Sequence, residues 1–251
     1  MTRPNIHPLV LAFDNLIALR EYATANPSDG GAQFVTFCAA NLRHSHSQLF
    51  QDLFVIFCLK GKRNGFFVEF GATDGIDLSN TVVLERNFEW KGILCEPARC
   101  WHTTLKSNRR AMIDTRCVWA QSGCRLEFRE VERRDFSTLN AFADKDFHRD
   151  ERRKGITYEV DTISLNDLLV HHNAPKEIDY LSVDTEGSEL EILRAFDFGK
   201  YDVKIMTVEH NFQEPDRKLL NELMAANGFL RVLEGFSKFD DWYVKGSLAG
   251  G

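Results

Sequence analysis

Apolar positions recur along this chain at two different spacings, and the change between them falls near Phe66. Before it, the spacing is helical. LVLAFDNLIALREYA, within residues 1–31, predicts a helix of modest amphipathicity ended by a polar break at NPSDGG. FVTFCAANLRHSHSQLFQDLFVIFCLKG predicts a second helical run, stopped by the basic, glycine-punctuated stretch from Gly61 to Gly65. From Phe66 onward, short β-rich runs alternate with helix-length segments, as parallel strands joined by crossover helices do.

GFFVEFGA reads as the first strand and GILCEP as the second, with a helix over residues 80–88 between them. A less distinct third strand is expected near residues 112–119. Residues 125–131 and 157–162 read as an inserted hairpin or edge pair flanking the charged stretch ADKDFHRDERRKG, which is expected to be a mobile loop. A helix over 165–172, a buried strand over 178–183, a helix over 188–196 and a buried strand over 203–209 follow. A helix over 215–226 and strands near 229–233 and 242–244 close the series. The fold expected is α/β, doubly wound around a mostly parallel sheet. Residues 1–60 form an N-terminal helical extension or cap, 61–247 the main domain and 248–251 a flexible tail.

With 251 residues and 43% apolar content, the chain can bury one substantial core. A net charge of -6 weighs against a protein held to nucleic acid or anionic lipid by bulk electrostatics, which needs a basic face. The six cysteines have neither CxxC nor metal-type spacing and read as reduced thiols of a cytoplasmic protein. MTRPNIHP lacks an apolar leader core, and no later apolar run approaches the ~18–20 residues a membrane span requires.

The stretch Glu69-Phe70-Gly71-Ala72-Thr73-Asp74-Gly75 carries the chemistry: an apolar strand ending in an acid and two glycines spaced G-x-x-x-G. In a doubly wound sheet, ligands lie beyond the carboxyl end of the first strand, and glycine lets the backbone approach them. A dinucleotide site would show G-x-G-x-x-G, so that a helix N-terminus meets the pyrophosphate; Thr73 stands where the second glycine belongs. Glu69 suits a ligand with an amine and a sulfonium better than one with a pyrophosphate, which it would repel. S-adenosyl-L-methionine meets both conditions. About 20 residues on, Glu96, followed by Pro97, ends the second strand where Rossmann-like proteins place an acid for ribose hydroxyls. Asn80 and Thr81 open the next helix, to cap it or to reach the methionine carboxylate. The plainer alternative is a βαβ unit whose glycine turn and terminal acid are structural.

Taken together, SQLFQDLFVIF at 47–57, FFVEFGATDG at 66–75, SNTVVLE at 79–85, WKGILCEP at 90–97, YLSVDTEGSELEIL at 180–193 and VEHN at 208–211 resemble the FkbM family of methyltransferases. The resemblance covers about residues 47–233. It implies a class I methyltransferase fold with a seven-stranded Rossmann-like sheet, S-adenosylmethionine as donor, and methylation of an oxygen, often a sugar or natural-product hydroxyl. The chain departs from the family pattern at Thr73, where Asn is common, and at Asn166-Asp167.

Two strand ends should open onto one crevice: Asp184, followed by Thr185-Glu186-Gly187, and Glu209-His210-Asn211. In one reading Asp184, Glu209 or His210 takes the proton from an acceptor hydroxyl. In the other, Asp184, Glu209 and Asn211 hold Mg²⁺, which lowers the hydroxyl's pKa. Against these stand plainer roles: Asp184 as a helix cap, Glu186, Glu189 and Glu191 as helix-dipole charges, and His210 as a hydrogen-bonded turn residue. Gln48, Gln51 and Asp52 either touch ligand or form the solvated face of a helix.

The first expectation is therefore O-methylation of a small-molecule or glycan hydroxyl, with no nucleic-acid partner and no membrane span. A nicotinamide-dependent oxidoreductase and a non-catalytic nucleoside-binding protein are the alternatives.

Overall fold

The computed structural model describes residues 7–131, 138–139 and 155–248. Most of the charged stretch expected to be a mobile loop, and residues 249–251 of the expected tail, lie outside the described residues. The chain divides into two compact units, Met1–Ser45 and His46–Gly251, ahead of the expected boundary at residue 60.

In the first unit, α1 (Pro8–Ala25) carries Pro8 in its first turn, where a missing N–H costs no helical bond, and His7 Nδ1 accepts the Leu9 amide at 3.2 Å. Asp29 caps α2 (Gly30–Asn41) by accepting the Ala32 amide at 2.8 Å. A short 3-10 turn, Leu42–His44, ends the unit. Leu9, Val10, Leu11, Phe13 and Leu16 of α1 are exposed.

In the second unit, the helical run expected to continue from α2 is interrupted, and its latter part is a separate helix, α3 (Gln51–Cys58). The polar residues before it bond back to its first turn. Ser47 Oγ accepts the Asp52 amide at 2.9 Å while Asp52 Oδ2 accepts the His46 amide at 2.8 Å. That reciprocal pair satisfies two amides which a continuous helix would have bonded internally.

The chain then runs through β1 (Phe66–Phe70), α4 (Val82–Phe88), β2 (Lys91–Cys95), α5 (His102–Asn108), β3 (Met112–Asp114) and β4 (Cys117–Trp119). Next come β5 (Arg125–Glu130), β6 (Thr138–Leu139), β7 (Ile156–Ser164), α6 (Leu165–His171) and β8 (Glu177–Val183). It ends with α7 (Glu189–Arg194), β9 (Asp202–Glu209), α8 (Glu214–Ala226), β10 (Phe229–Val232) and β11 (Asp240–Lys245).

Seven strands form the main sheet in the order β10-β11-β9-β8-β1-β2-β3, all parallel except β11, which is antiparallel to both its neighbours. This is the doubly wound, mostly parallel seven-stranded α/β sheet expected from the sequence. The four central strands β1, β2, β8 and β9 are buried along almost their whole length because helices cover the sheet. Leu165, Leu168 and Leu169 of α6, Leu190 and Leu193 of α7, and Leu220 and Met224 of α8 join Val68, Leu181, Val183 and Met206 of the sheet in one buried cluster. Crossovers run outward from the β1/β8 pair in opposite directions, so a crevice opens where the strand order reverses.

The third strand expected near 112–119 is two strands. β3 pairs with β2 in the main sheet, whereas β4 pairs with β7 in a second sheet of order β4-β7-β5-β6. Asp114 ends the first of them, its carboxylate held by Arg116 at 2.6 Å and by His172 at 3.0 Å. The expected hairpin is present as the antiparallel β5/β7 pair, with Phe128 opposite Tyr158. Phe54 stacks on Trp242 with ring centroids 4.6 Å apart, fixing α3 against β11. No helix among the described residues is long and apolar enough to cross a membrane.

Candidate active site

The crevice holds a cavity of about 260 Å³ at the carboxyl ends of β1, β2, β8 and β9. Its floor is the turn leaving β1. Gly71 has φ +69°, and a Cβ there would lie 2.5 Å from the carbonyl oxygen of Asp184, so only glycine fits between the two central strands. The amides of Gly71 and Ala72 both donate to Cys95 O, which pulls the turn across the end of β2.

Glu96 fixes the rest of the turn. One carboxylate oxygen accepts the Thr73 amide at 2.8 Å and the other the Ala98 amide at 2.7 Å. Each oxygen keeps a lone pair for a further donor. Burial, opposed by these two amides, brings the Glu96 carboxyl up to about 7.

Glu69 is 3% exposed and anchors the start of the next helix. It accepts the Asn80 amide at 2.7 Å, the Thr81 hydroxyl, and the Ser79 hydroxyl at 3.2 Å. Arg109, behind it, lies 3.7 Å from Glu69 and 3.1 Å from Glu85, and donates to Gly75 O, Ser79 Oγ and Thr81 Oγ1. Burial raises the Glu69 carboxyl although Arg109 opposes it. Asn80 gives its NH₂ to Ser182 Oγ at 2.9 Å, and its buried carbonyl oxygen meets no donor among the described residues.

The far wall is acidic. Carboxylate oxygens of Asp184, Glu186 and Glu209 lie within 4.8 Å of one another. Ionised together, they would repel by at least about 3 kcal/mol per pair at an effective dielectric of about 20. Burial, followed by the charge of Glu189, raises the Asp184 carboxyl; burial, followed by Asp184, raises Glu209 well above its usual range. Asn211 donates its side-chain amide to Glu186 at 3.4 Å. The turn after Asp184 is held instead by Glu189, whose Oε1 accepts the Thr185 and Gly187 amides at 2.9 and 3.0 Å.

Glu69, Gly71, Ala72, Thr73, Asn80, Glu96, Pro97, Asp184, Glu209 and Asn211 thus line one cavity. Four other expected site residues do not. Asp74 folds back to accept the Ile76 amide at 2.7 Å. Gly75 lies against Arg109 and Leu105, where a Cβ would come within 2.6 Å of Arg109. Thr81 is fully buried between Glu69 and Arg109. His210 lines a smaller neighbouring cavity with Gln213 and Asp216; its Nδ1 accepts the Phe212 amide at 3.0 Å, and burial lowers its pKa.

Several lining residues have no signal in the sequence. Cys117, Val118 and Phe128 reach the cavity from the second sheet and form an apolar wall beside Glu96 and Pro97. Phe239 closes the opposite side, near Gln51, which donates to Asp240 at 2.8 Å. Six carboxylates line the space, Asp77 among them, and no Lys, Arg or His does among the described residues.

A family model described as the methyltransferase FkbM domain matches residues 69–241. No curated protein matches the chain. Among solved structures, a crystal structure of the fibrillarin/Nop5p complex is similar at 14% identity, over 79% of this chain and 80% of that one, with a TM-score of 0.38. The precorrin-6y C5,15-methyltransferase of Geobacter metallireducens GS-15 is similar at 8% identity, over 77% and 85%, also with a TM-score of 0.38.

Proposed function

Because the chain belongs to the FkbM methyltransferase family, whose donor is S-adenosylmethionine, we propose that it methylates an oxygen, the hydroxyl of a sugar, glycan or natural product. The observation that carries the donor's place is the make-up of the cavity wall: six acidic side chains and no basic one among the described residues. Such a wall suits a ligand with a sulfonium and an ammonium and repels a pyrophosphate. That sets the nicotinamide-dependent reading aside, and the same acidity disfavours a nucleic-acid acceptor.

The fit of the donor can be followed group by group. Glu96 accepts from the ribose hydroxyls through its remaining lone pairs. The unpaired carbonyl oxygen of Asn80 takes the ammonium of the methionine moiety, because its NH₂ is already bonded to Ser182. Cys117, Val118 and Phe128 pack the adenine. When bound, the donor supplies an electrophilic methyl on sulfur. Asp184, raised toward neutrality by burial, accepts the acceptor's proton, with Glu209 beside it. His210, in the neighbouring cavity, supports the wall from behind and does not take the proton. Carboxylates converging on one cavity favour a catalytic site over one that only binds nucleosides.

Titration of the full chain with S-adenosylhomocysteine and, separately, with NAD tests the donor. Binding of the first, lost in Glu96→Ala, supports the reading; binding of NAD alone overturns it. Radiolabelled methyl transfer to hydroxyl-bearing and amine-bearing acceptor libraries then tests the oxygen, and transfer to amines alone would overturn that part.

A further inference from the structure

The acidic corner is more than the proton acceptor requires. We infer that Asp184, Glu186 and Glu209 form a binding site for a hard divalent cation of the Mg²⁺ class, with Glu186 as the third ligand. This deepens the methyl-transfer reading and shares its cavity: where the cation is held, Asp184 is its ligand, and the lowered pKa of the acceptor hydroxyl replaces proton acceptance by Asp184.

Three observations carry it. First, the three carboxylate oxygens come from different places, the end of β8, the turn after it and the end of β9, yet lie within 4.8 Å of one another. Oxygens around one Mg²⁺ stand about 3 Å apart when adjacent and about 4.2 Å when opposite, given metal–oxygen bonds of about 2.1 Å. Second, Glu209 is 7% exposed, and its Oε2 meets no hydrogen-bond donor among the described residues. A shielded carboxylate oxygen without a donor calls for a positive partner. Third, no Lys, Arg or His lines the cavity among the described residues, so none of these is that partner.

The assignment changes the ligand set expected from the sequence. Asn211 acts through Glu186, to which its amide donates at 3.4 Å, and so orients a ligand in place of being one. The carboxylates of Asp184 and Glu209 close the site from the sheet side.

Mn²⁺ is the probe, because it shares the oxygen preference of Mg²⁺ and is paramagnetic. The free Mn²⁺ signal is followed by electron paramagnetic resonance while the full-length protein is titrated, with and without S-adenosylhomocysteine. One saturable site per chain is expected, displaced by Mg²⁺. Its affinity should fall at least about tenfold in Glu209→Gln and in Glu186→Gln, with S-adenosylhomocysteine binding retained in both. Saturation with S-adenosylhomocysteine but no saturable Mn²⁺ binding overturns the inference, as does unchanged Mn²⁺ affinity in both variants. Mn²⁺ binding at this site without any S-adenosylhomocysteine binding would leave the cation site standing and sink the donor assignment. Should Glu209→Gln fail to fold by circular dichroism, Glu186→Gln decides.

Discussion

Arg109 and Glu69 form an ion pair at 3.7 Å in which both side chains are almost wholly shut off from water. The pair stands behind the turn leaving β1, and Arg109 also holds Glu85, Gly75 O and the two hydroxyls that Glu69 accepts. Removing one partner of a buried pair leaves an uncompensated charge, which costs about 3–5 kcal/mol. Arg109→Met should therefore lower unfolding stability by that order in urea, and Glu69→Gln/Arg109→Met should be less destabilised than the single variant. Equal loss in the two would show that Arg109 acts only through its backbone and hydroxyl bonds.

Gly71→Ala should impair both stability and donor binding, since its Cβ would meet the Asp184 carbonyl at 2.5 Å. Gly123→Ala is the control: its φ is +75°, but nothing lies within 4 Å of its Cβ. The left-handed conformation alone costs about 1–2 kcal/mol. The expected outcome is a loss of that size at residue 123 with S-adenosylhomocysteine binding kept, and a larger loss at residue 71 with binding abolished. Calorimetry on both variants separates the clash from the dihedral.

Donor affinity should depend on pH through Glu96. Burial raises its carboxyl from the usual 4.5 to about 7 in the free protein. Below 4.5 the group is protonated both folded and unfolded, and its contribution to stability is fully present. As pH rises through 7 that contribution is lost, because the unfolded chain ionises first. Binding runs the other way: ribose hydroxyls prefer the carboxylate, so S-adenosylhomocysteine affinity should climb up to about pH 7 and level off above it. Glu96→Gln should flatten the curve, and a wild-type profile without an inflection would contradict the role given to Glu96.

Asp184→Asn keeps the shape of the wall but cannot take a proton. Turnover should fall by roughly 10²–10⁴, the usual share of a general base, while S-adenosylhomocysteine still binds. Loss of binding with no separate effect on turnover would place Asp184 in donor recognition alone.

The floor of the cavity was legible in the sequence, and its walls were not. An apolar run ending in Glu69 and Gly71, followed by a second strand ending in Glu96, is a local pattern, and local patterns survive reading in one dimension. The parallel sheet was legible for the same reason. Arg109 was not, because its partners lie 24 to 40 positions earlier and nothing near it distinguishes it from the adjacent Arg110. Glu186 reads as a helix-dipole charge until the end of β9 brings Glu209 beside it. Residues 112–119 read as one strand because the apolar pattern continues through the point where Arg116 clasps Asp114 and the chain leaves one sheet for another.

The contact between residue 71 and the carbonyl of Asp184 also has a bearing on how such a protein can diverge. The donor's floor and the acidic corner touch through backbone atoms, so neither can shift by an ångström without the other. On the proposed reading, a new acceptor would be accommodated from the remaining sides, by Phe239, Gln48 and the second sheet, with the turn and the acidic corner kept.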